Sequence, residues 1–517
     1  MIFIVFRSGR DGLPKTNTVL LYDGTCTEVL KWGEPALVHE PKKNRNNIRE
    51  LGSPLPPQQH VAERFKLYLD DNAIERLSLP PNLDYKKAIS DYLRKMKGVS
   101  TYKLNESIES HLEFTTERNY LYFVLFLHLL LNEVHLLNSR YSITTAEAAA
   151  LHCLSVIEEH ELTVGVVDCG GGTVDLTMRT IQPGKKLKEE TERSGDLCGS
   201  TYVDQEFIDF MGRIVGFTAL QRLKSYAYGD LQKLVHRFFC ETVKLPFNGD
   251  REKFESIELD LERQCPSLIK YITGSERTNL ENNEWIIELE YDTVKQMFDP
   301  VVNKIIKLIN NQLLDLRAQR KCKAMFLVGG FSESSYLRKR VREKFEGRVP
   351  IIASPRAPIA AIVKGAVKYG LDMGLVESRV LKWTYGVEVK ADFDIRNDPP
   401  KLRTDDNKIW KFDLLVGRGT RVSVNQSFRK DYKPLNADQK MAVFQVYITK
   451  ETRPKYIKDA GMRILGTLKI ALSKALSLGR DRPVEFELTF GTMEIKASAR
   501  NKITGETYRT TFELDVK

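Results

Sequence analysis

Eight consecutive residues carry the clearest chemistry in the chain: Asp168-Cys169-Gly170-Gly171-Gly172-Thr173-Val174-Asp175. An apolar run (LTVGVVD, residues 162–168) precedes the glycines and an alternating run (TVDLTMRTI, residues 173–181) follows them. Two strands joined by a tight turn are therefore expected. Three glycines exceed what a two-residue hairpin needs. Without Cβ atoms the backbone can wrap closely around a ligand, and successive N–H groups then form a concavity suited to phosphate oxygens. Asp168 and Asp175, one at the end of each strand, suit Mg²⁺, which takes a few carboxylates together with water and phosphate oxygens. The pattern is a phosphate hairpin, not a helix-opening P-loop. For the octet taken alone, the bland alternative is a glycine-rich turn with two acidic ends.

The surrounding elements follow from period and punctuation. Near the start, Val19-Leu20-Leu21, the Asp23-Gly24 turn and Trp32-Gly33 read as a β-meander, and the first ten residues read as a strand. A helix is expected over about 61–70, with mostly helical patterning to Leu137. A second helical region covers about 202–243. Asp299-Pro300 looks like an N-cap followed by proline at the first helical position, opening a helix with Val302, Ile305, Ile306, Ile309, Leu313 and Leu316 on one face. Ala324–Val328 is a short buried strand ending in Gly329-Gly330. It is followed by a helix to about Phe345, a strand over 349–353 and an alanine-rich helix over 358–369. Beyond Lys382 the runs VEVKAD, TRVSVNQSF, MAVFQVYITK, VEFELTF, MEIKASARN and YRTTFEL indicate an antiparallel β domain.

Composition bounds the remaining choices. A chain of 517 residues with 42% hydrophobic and 29% charged residues is a folded, multi-domain protein. Lysine and arginine outnumber aspartate and glutamate 79 to 69, and from Leu381 onward 27 to 18. Interspersed charge of this kind is ordinary solvated surface, and no nucleic-acid partner is expected. The basic run at Arg338-Lys339-Arg340 and Arg342 reads as the wet face of a helix. Seven separated cysteines with no C-x-x-C pair suggest neither disulfides nor zinc and point to a reducing, cytoplasmic setting, as does the lack of a secretory signal. The apolar stretch Tyr120–Leu131 is too short to span a membrane and reads as a buried helix, with His128 and His135 as core or rim residues. No metalloprotease or serine-hydrolase motif is present.

With the octet in place, the chain resembles the heat-shock protein 70 branch of the actin-like ATPases, especially its divergent heat shock 70 kDa protein 12-like members. Residues 168–175 match that family's second phosphate loop, D-x-G-G-G-T-x-D. Residues 143–151 (ITTAEAAAL) resemble the connecting helix before it. Gly195–Ser200 with Asp204 resembles the loop after it. Glu241 and Lys244 have the E-x-x-K spacing with which the family grips adenosine, and on an α-helix a spacing of three places both on one face. Val328-Gly329-Gly330-Phe331-Ser332 resembles the adenosine loop, and residues 358–365 the second connecting helix. Stretches from Leu414 to Phe444, 463–466 and 495–499 resemble the family's substrate-binding β-sandwich.

The resemblance implies an α/β fold: a two-lobed actin-like nucleotide-binding domain over 1–374, lobe I mainly 1–181 and 324–374, lobe II about 190–320. A linker over 375–383 and a β-sandwich over 384–517 follow. It implies ATP or ADP with Mg²⁺, extended or unfolded peptide segments as partners, and co-chaperones. Asp168 and Asp175 order the metal shell and water, Gly170, Gly171, Gly172, Thr173, Gly199 and Ser200 hold phosphates, and Glu241, Lys244, Gly329, Gly330 and Ser332 face the nucleoside side. Lys66 is the candidate catalytic lysine.

The likeness also has gaps. The family's first phosphate turn has no counterpart, since Asp23-Gly24-Thr25 stands where a later hairpin belongs and reads as a plain Asp-Gly turn. Thr145 and Ala146 replace a Glu-Pro pair of the connecting helix. The linker 375–381 (LVESRVL) is a weaker hydrophobic latch than the family's leucine-rich one, and no helical lid follows the last strand. Coupling of nucleotide state to peptide binding is the first reading, and a non-hydrolysing interaction module the second. A sugar-kinase relative is the third, with the β-sandwich against it.

Overall fold

The chain was analysed as a computed structural model, which describes residues 17–37, 59–69, 79–80, 82–96, 143–154, 157, 161–316, 320–474, 476–490 and 494–513. The expectations for the first ten residues and for Tyr120–Leu131, with His128 and His135, fall outside them. Among the described residues no helix is long and apolar enough to cross a membrane. None of the seven cysteines is in a disulfide.

The opening meander forms as its pattern predicts. Strands β1 (Val19–Tyr22) and β2 (Val29–Trp32) pair antiparallel across the Asp23-Gly24 turn. The Asp23 carboxylate is consumed by that turn, accepting from the Thr27 and Glu28 amides and from the Thr25 hydroxyl. The helix expected over 61–70 is not there. Instead β3 (His60–Glu63) adds to β1, with Ala62 opposite Leu20, and a short 3₁₀ turn follows over Phe65–Leu69. Val61 pairs better on a pleated edge than in an isolated single helical turn.

Strands β4 (Thr163–Cys169), β5 (Val174–Gln182), β6 (Lys186–Glu189) and β7 (Ser194–Asp196) follow. After the ribbon of β8 (Ile257–Asp260) and β9 (Ile286–Leu289) come β10 (Ala324–Val328), β11 (Ile351–Ala353) and β12 (Val376–Val380). The central sheet runs β11-β10-β4-β5-β6-β12, and β10 lies parallel to β4 while β4 and β5 are antiparallel. Every residue of β4 is buried, which is why its sequence reads as a continuous apolar run rather than alternating. Two helices, Thr145–Leu154 and Ala361–Leu371, cover one face of the sheet. Gly365 lets them cross tightly, because a Cβ there would lie 3.1 Å from Ala148 Cα and nearer still to its carbonyl.

Two helical expectations are corrected. Pro300 does not open a helix but lies inside one running Tyr291–Asp315. Asp299 is no cap: it takes Arg340 and the Tyr336 hydroxyl, with Lys295 as a third partner. Apolar packing of Met297, Phe298, Val301 and Val302 on both sides of the proline carries the helix through the lost hydrogen bond. The basic run is likewise partly engaged, since Arg340 pairs with Asp299 and Lys339 bonds the Gly249 carbonyl.

Strands β13 (Thr384–Asp392), β14 (Lys408–Val416), β17 (Met441–Thr449) and β18 (Arg463–Ala471) make one antiparallel sheet. Strands β16 (Ser427–Tyr432), β19 (Val484–Thr489), β20 (Glu494–Asn501) and β21 (Thr507–Glu513) make the other. They enclose a core that includes Val387, Val446, Phe486, Leu488 and Ile495. TRVSVNQSF, expected as a single strand, divides at Asn425, whose φ of 63° breaks the extended run. Its first part, β15 (Arg421–Ser423), leaves the sandwich and pairs antiparallel with β12. The central sheet thus continues from β6 through β12, a parallel neighbour, into a strand of the C-terminal region. The overall architecture is mixed α/β with one mixed sheet and several antiparallel ones.

Candidate nucleotide site

The hairpin between β4 and β5 is built as a shaped loop. The carbonyls of its three glycines are tied to the following loop: Gly199 N donates to Gly172 O at 3.2 Å, Ser200 N to Gly170 O at 3.0 Å and Thr201 N to Gly171 O at 2.8 Å. The Thr201 hydroxyl adds a second bond to Gly171 O at 2.9 Å. The amides of Gly171 and Gly172, by contrast, make no hydrogen bond among the described residues, and Gly170 to Thr173 are all half-buried. Carbonyls drawn back and amides left unengaged are what an anion-binding loop requires. Leu67 closes one side, since a Cβ on Gly172 would lie 2.7 Å from its Cδ2.

The two aspartates stand opposite each other in the ladder, so their side chains share a face. Asp168 is buried, and its Oδ1 has no partner. Burial first, and then the facing Asp175 carboxylate, push the Asp168 carboxyl up to about 6, while Lys66 and a hydrogen bond from Thr145 pull the other way. Asp175 is held by the Thr173 hydroxyl at 3.2 Å. Gly329, with φ of 81°, is packed so tightly on this corner that a Cβ would lie 2.7 Å from Asp168 Oδ1. A buried, unpartnered carboxylate oxygen beside a second carboxylate and a phosphate-type loop fits a hydrated divalent cation. Among the described residues there is no cluster of three or more ligating side chains, so any such ion would lean on water and phosphate oxygens.

The remaining expected residues divide. Lys66 is exposed on the 3₁₀ turn beside the hairpin, near enough for Asp168 to feel its charge. Ser332 is buried and spends its hydroxyl on the Gly329 carbonyl at 2.7 Å, while Gly330 is half-buried. Glu241 and Lys244 do not share a face. The segment Leu234–Lys244 is wound as a π-helix, with Leu245 N bonding Cys240 O, so a spacing of three no longer brings side chains together. Glu241 is exposed, whereas Lys244 is buried and donates to Ser200 O at 2.7 Å and to Asp204 Oδ1 at 2.5 Å. Lys244 therefore braces the loop that braces the hairpin. Tyr228 ties the second helical region to the opening meander, its hydroxyl donating to Glu63 of β3 at 2.7 Å.

Two residues of the connecting helix do more than the sequence pattern suggests: Thr145 hydrogen-bonds Asp168, and Glu147 caps the helix. Thr144 and Glu147 form a capping box at the start of the connecting helix, the Thr144 amide reaching Glu147 Oε2 at 3.1 Å and the Glu147 amide reaching the Thr144 hydroxyl at 3.3 Å. The T-x-x-E spacing was a usable signal for the cap.

Known proteins are similar to this chain in sequence. The chain is 28% identical over 378 residues to human heat shock 70 kDa protein 12B, covering 68% of this chain and 53% of that protein. It is 29% identical over 365 residues to heat shock 70 kDa protein 12A of mouse and of human, covering 67% of this chain and 53% of each. The chain is a divergent relative of the heat shock 70 kDa protein 12 branch. It spans about half the length of the curated relatives it matches. No family model matches it. Residues 168–175 and 195–200 carry the sequence pattern that the resemblance rests on, while Glu241 and Lys244, expected on one face, lie in a π-wound segment that separates them.

Proposed function

We propose that the chain is an ATPase-type, heat-shock-protein-70-like module that binds Mg²⁺ and ATP or ADP, with its β-sandwich offered to extended peptide segments. The observation that carries this reading is the hairpin itself: two unengaged glycine amides beside a buried carboxylate whose Oδ1 is unpartnered. Gly171, Gly172 and Thr173 would receive phosphate oxygens. Asp168 and Asp175 would hold the metal through water, and a bound Mg²⁺ would supply charge neutralisation at the phosphates. Lys66 offers a further positive charge on the open side. Gly329 and Gly330 let the backbone approach the nucleoside, and exposed Glu241 remains available to it. Lys244 is already committed.

Hydrolysis needs an ordered water in line with the terminal phosphate and stabilisation of the shifting charge. In this reading Asp168 and Asp175 would order that water. A second reading, nucleotide kept as a structural ligand without turnover, is favoured by Thr145, a hydroxyl reaching Asp168 where the family carries a carboxylate.

Calorimetric titration of the full chain with Mg-ATP, Mg-ADP and Mg-tripolyphosphate tests the proposal. Binding of all three, tightest for the nucleotides, is expected. No heat from a chain folded by circular dichroism would overturn nucleotide binding, and binding without phosphate release would select the structural-ligand reading.

A further inference from the structure

The densest group of buried charges lies away from the hairpin, where strand β12 joins the sheet. Glu147, Arg179, Glu189 and Arg379 are all buried, the first three completely. Glu147 Oε1 accepts from Arg179 Nη2 at 2.9 Å and from Arg379 Nε at 2.8 Å, and its Oε2 accepts from Arg379 Nη2 at 3.3 Å. Arg179 Nη2 also reaches Glu189 Oε1 at 2.9 Å. Glu189 Oε2 in turn accepts from the Val380 amide at 2.6 Å, and Arg179 Nη1 donates to Ser378 O at 3.4 Å. Side chain and backbone of β12 are thus gripped from the connecting helix, from β5 and from β6.

The grip continues into the sandwich region. Arg421 of β15 bonds the Glu189 carbonyl at 2.8 Å and Glu190 at 2.7 Å, and Arg418 pairs with Glu192 at 2.7 Å. The acidic run Glu189-Glu190-Glu192 therefore meets the Val380 amide of β12 and guanidinium groups from β15 and the loop before it.

We propose that β12 is a permanently seated strand, locked by the Arg379–Glu147 pair and by the hold of Arg179 and Glu189 on its backbone, so that the sandwich stays docked whether or not the phosphate hairpin is filled. The sequence leaves β12 weakly apolar because charge does the holding. Withdrawing Arg379 would strip Glu147 of a bidentate partner and Glu189 of the Val380 amide, and removing one partner of a buried ion pair is strongly destabilising. A linker that cycles in and out would avoid that arrangement. The inference goes beyond nucleotide binding and does not require it.

Hydrogen exchange of the full chain, with and without Mg-ATP, tests the lock. In both states the amides of 378–380 are expected to be protected to the same degree as β4 and β5, and trypsin is expected to spare Arg379 and Lys382. R379M and E147Q are each expected to speed exchange of 378–380 by about a hundredfold while β4 and β5 stay protected. Protection of β4 and β5 in each variant reports whether the rest of the fold is intact. Rapid exchange or cleavage of the wild-type segment without nucleotide, a change of its protection on adding Mg-ATP, or unchanged protection in both variants would each overturn the proposal. In a chain that binds no nucleotide, the protection of the wild-type segment and its response to R379M and E147Q still decide the lock, so failure of the lock and failure of the nucleotide reading remain distinguishable.

Discussion

Replacing Gly199 by alanine tests the hairpin without touching any group offered to the ligand. A Cβ on Gly199 would lie 2.6 Å from Gly172 N, 0.8 Å inside the 3.4 Å at which ordinary contact begins, and closer still to the Gly171 carbonyl. These are backbone atoms on both sides, so no rotamer change relieves the overlap, and the hairpin must move away from the 199–201 loop by close to an ångström. That shift breaks or weakens the bonds from Gly199, Ser200 and Thr201 to the three glycine carbonyls. The two amides would then be misplaced for phosphate. Losing two charge-assisted hydrogen bonds at ~1.5 kcal/mol each amounts to ~3 kcal/mol, or on the order of a hundredfold in affinity. Calorimetry with Mg-ATP and with Mg-tripolyphosphate is expected to show this loss for both ligands, with Gly347→Ala as a control, since nothing lies within 4 Å of a Cβ there. Gly172→Ala is expected to cost less, because its nearest neighbour is the flexible end of Leu67. A G199A variant that binds Mg-ATP as tightly as the parent would refute the assignment of phosphates to this loop.

Three further outcomes follow from the same geometry. Asp168, raised from an ordinary 3.8 to about 6, burdens the ligand-free fold above pH 6 and is relieved as pH falls towards 4. Differential scanning fluorimetry should therefore show Mg²⁺ stabilising the chain more at pH 7.5 than at pH 5, and Asp168→Asn stabilising the ligand-free chain at pH 7.5 by ~3 kcal/mol with the Mg²⁺ effect gone; a larger Mg²⁺ effect at pH 5 would contradict this. Lys244→Met leaves Asp204 buried and unpaired and should cost ~3–5 kcal/mol in urea unfolding, while Glu241→Ala, on an exposed position, should stay within ~0.5 kcal/mol; equal costs would show that the two share one environment after all. Gly365→Ala forces the two connecting helices apart and should lower stability by at least ~2 kcal/mol, whereas a near-neutral result would mean that the helices cross less tightly than the structure has them.

Local features were legible in the chain because their causes are local. The glycine triplet between apolar and alternating runs placed the β4–β5 hairpin, the Ala324–Val328 run placed β10, and Asp23-Gly24 placed the first turn. The loop Gly199-Ser200 was also identified, although what it does, hold back the hairpin carbonyls, depends on a contact some 30 residues away in sequence. Other residues misled in proportion to how far their partners lay. Pro300 reads as a helix start until the apolar packing on both its sides is known. Val61 and Ala62 read as helix until β1 is there to pair with them.

By itself, then, the order of residues determined a phosphate-type hairpin, alternating strands and helices, and a β-rich C-terminal region, all set by turn chemistry and the period of hydrophobic positions. Only the tertiary structure decided that Lys244 turns inward to Ser200 and Asp204 while Glu241 faces out, since the π-winding depends on what the segment packs against. It alone decided that Glu147 meets Arg379, 232 residues further on, and that β15 crosses to the linker strand. Buried ion pairs carry no periodic signature: a glutamate on a helix and an arginine on a strand look like solvated surface until both are brought into one dry space.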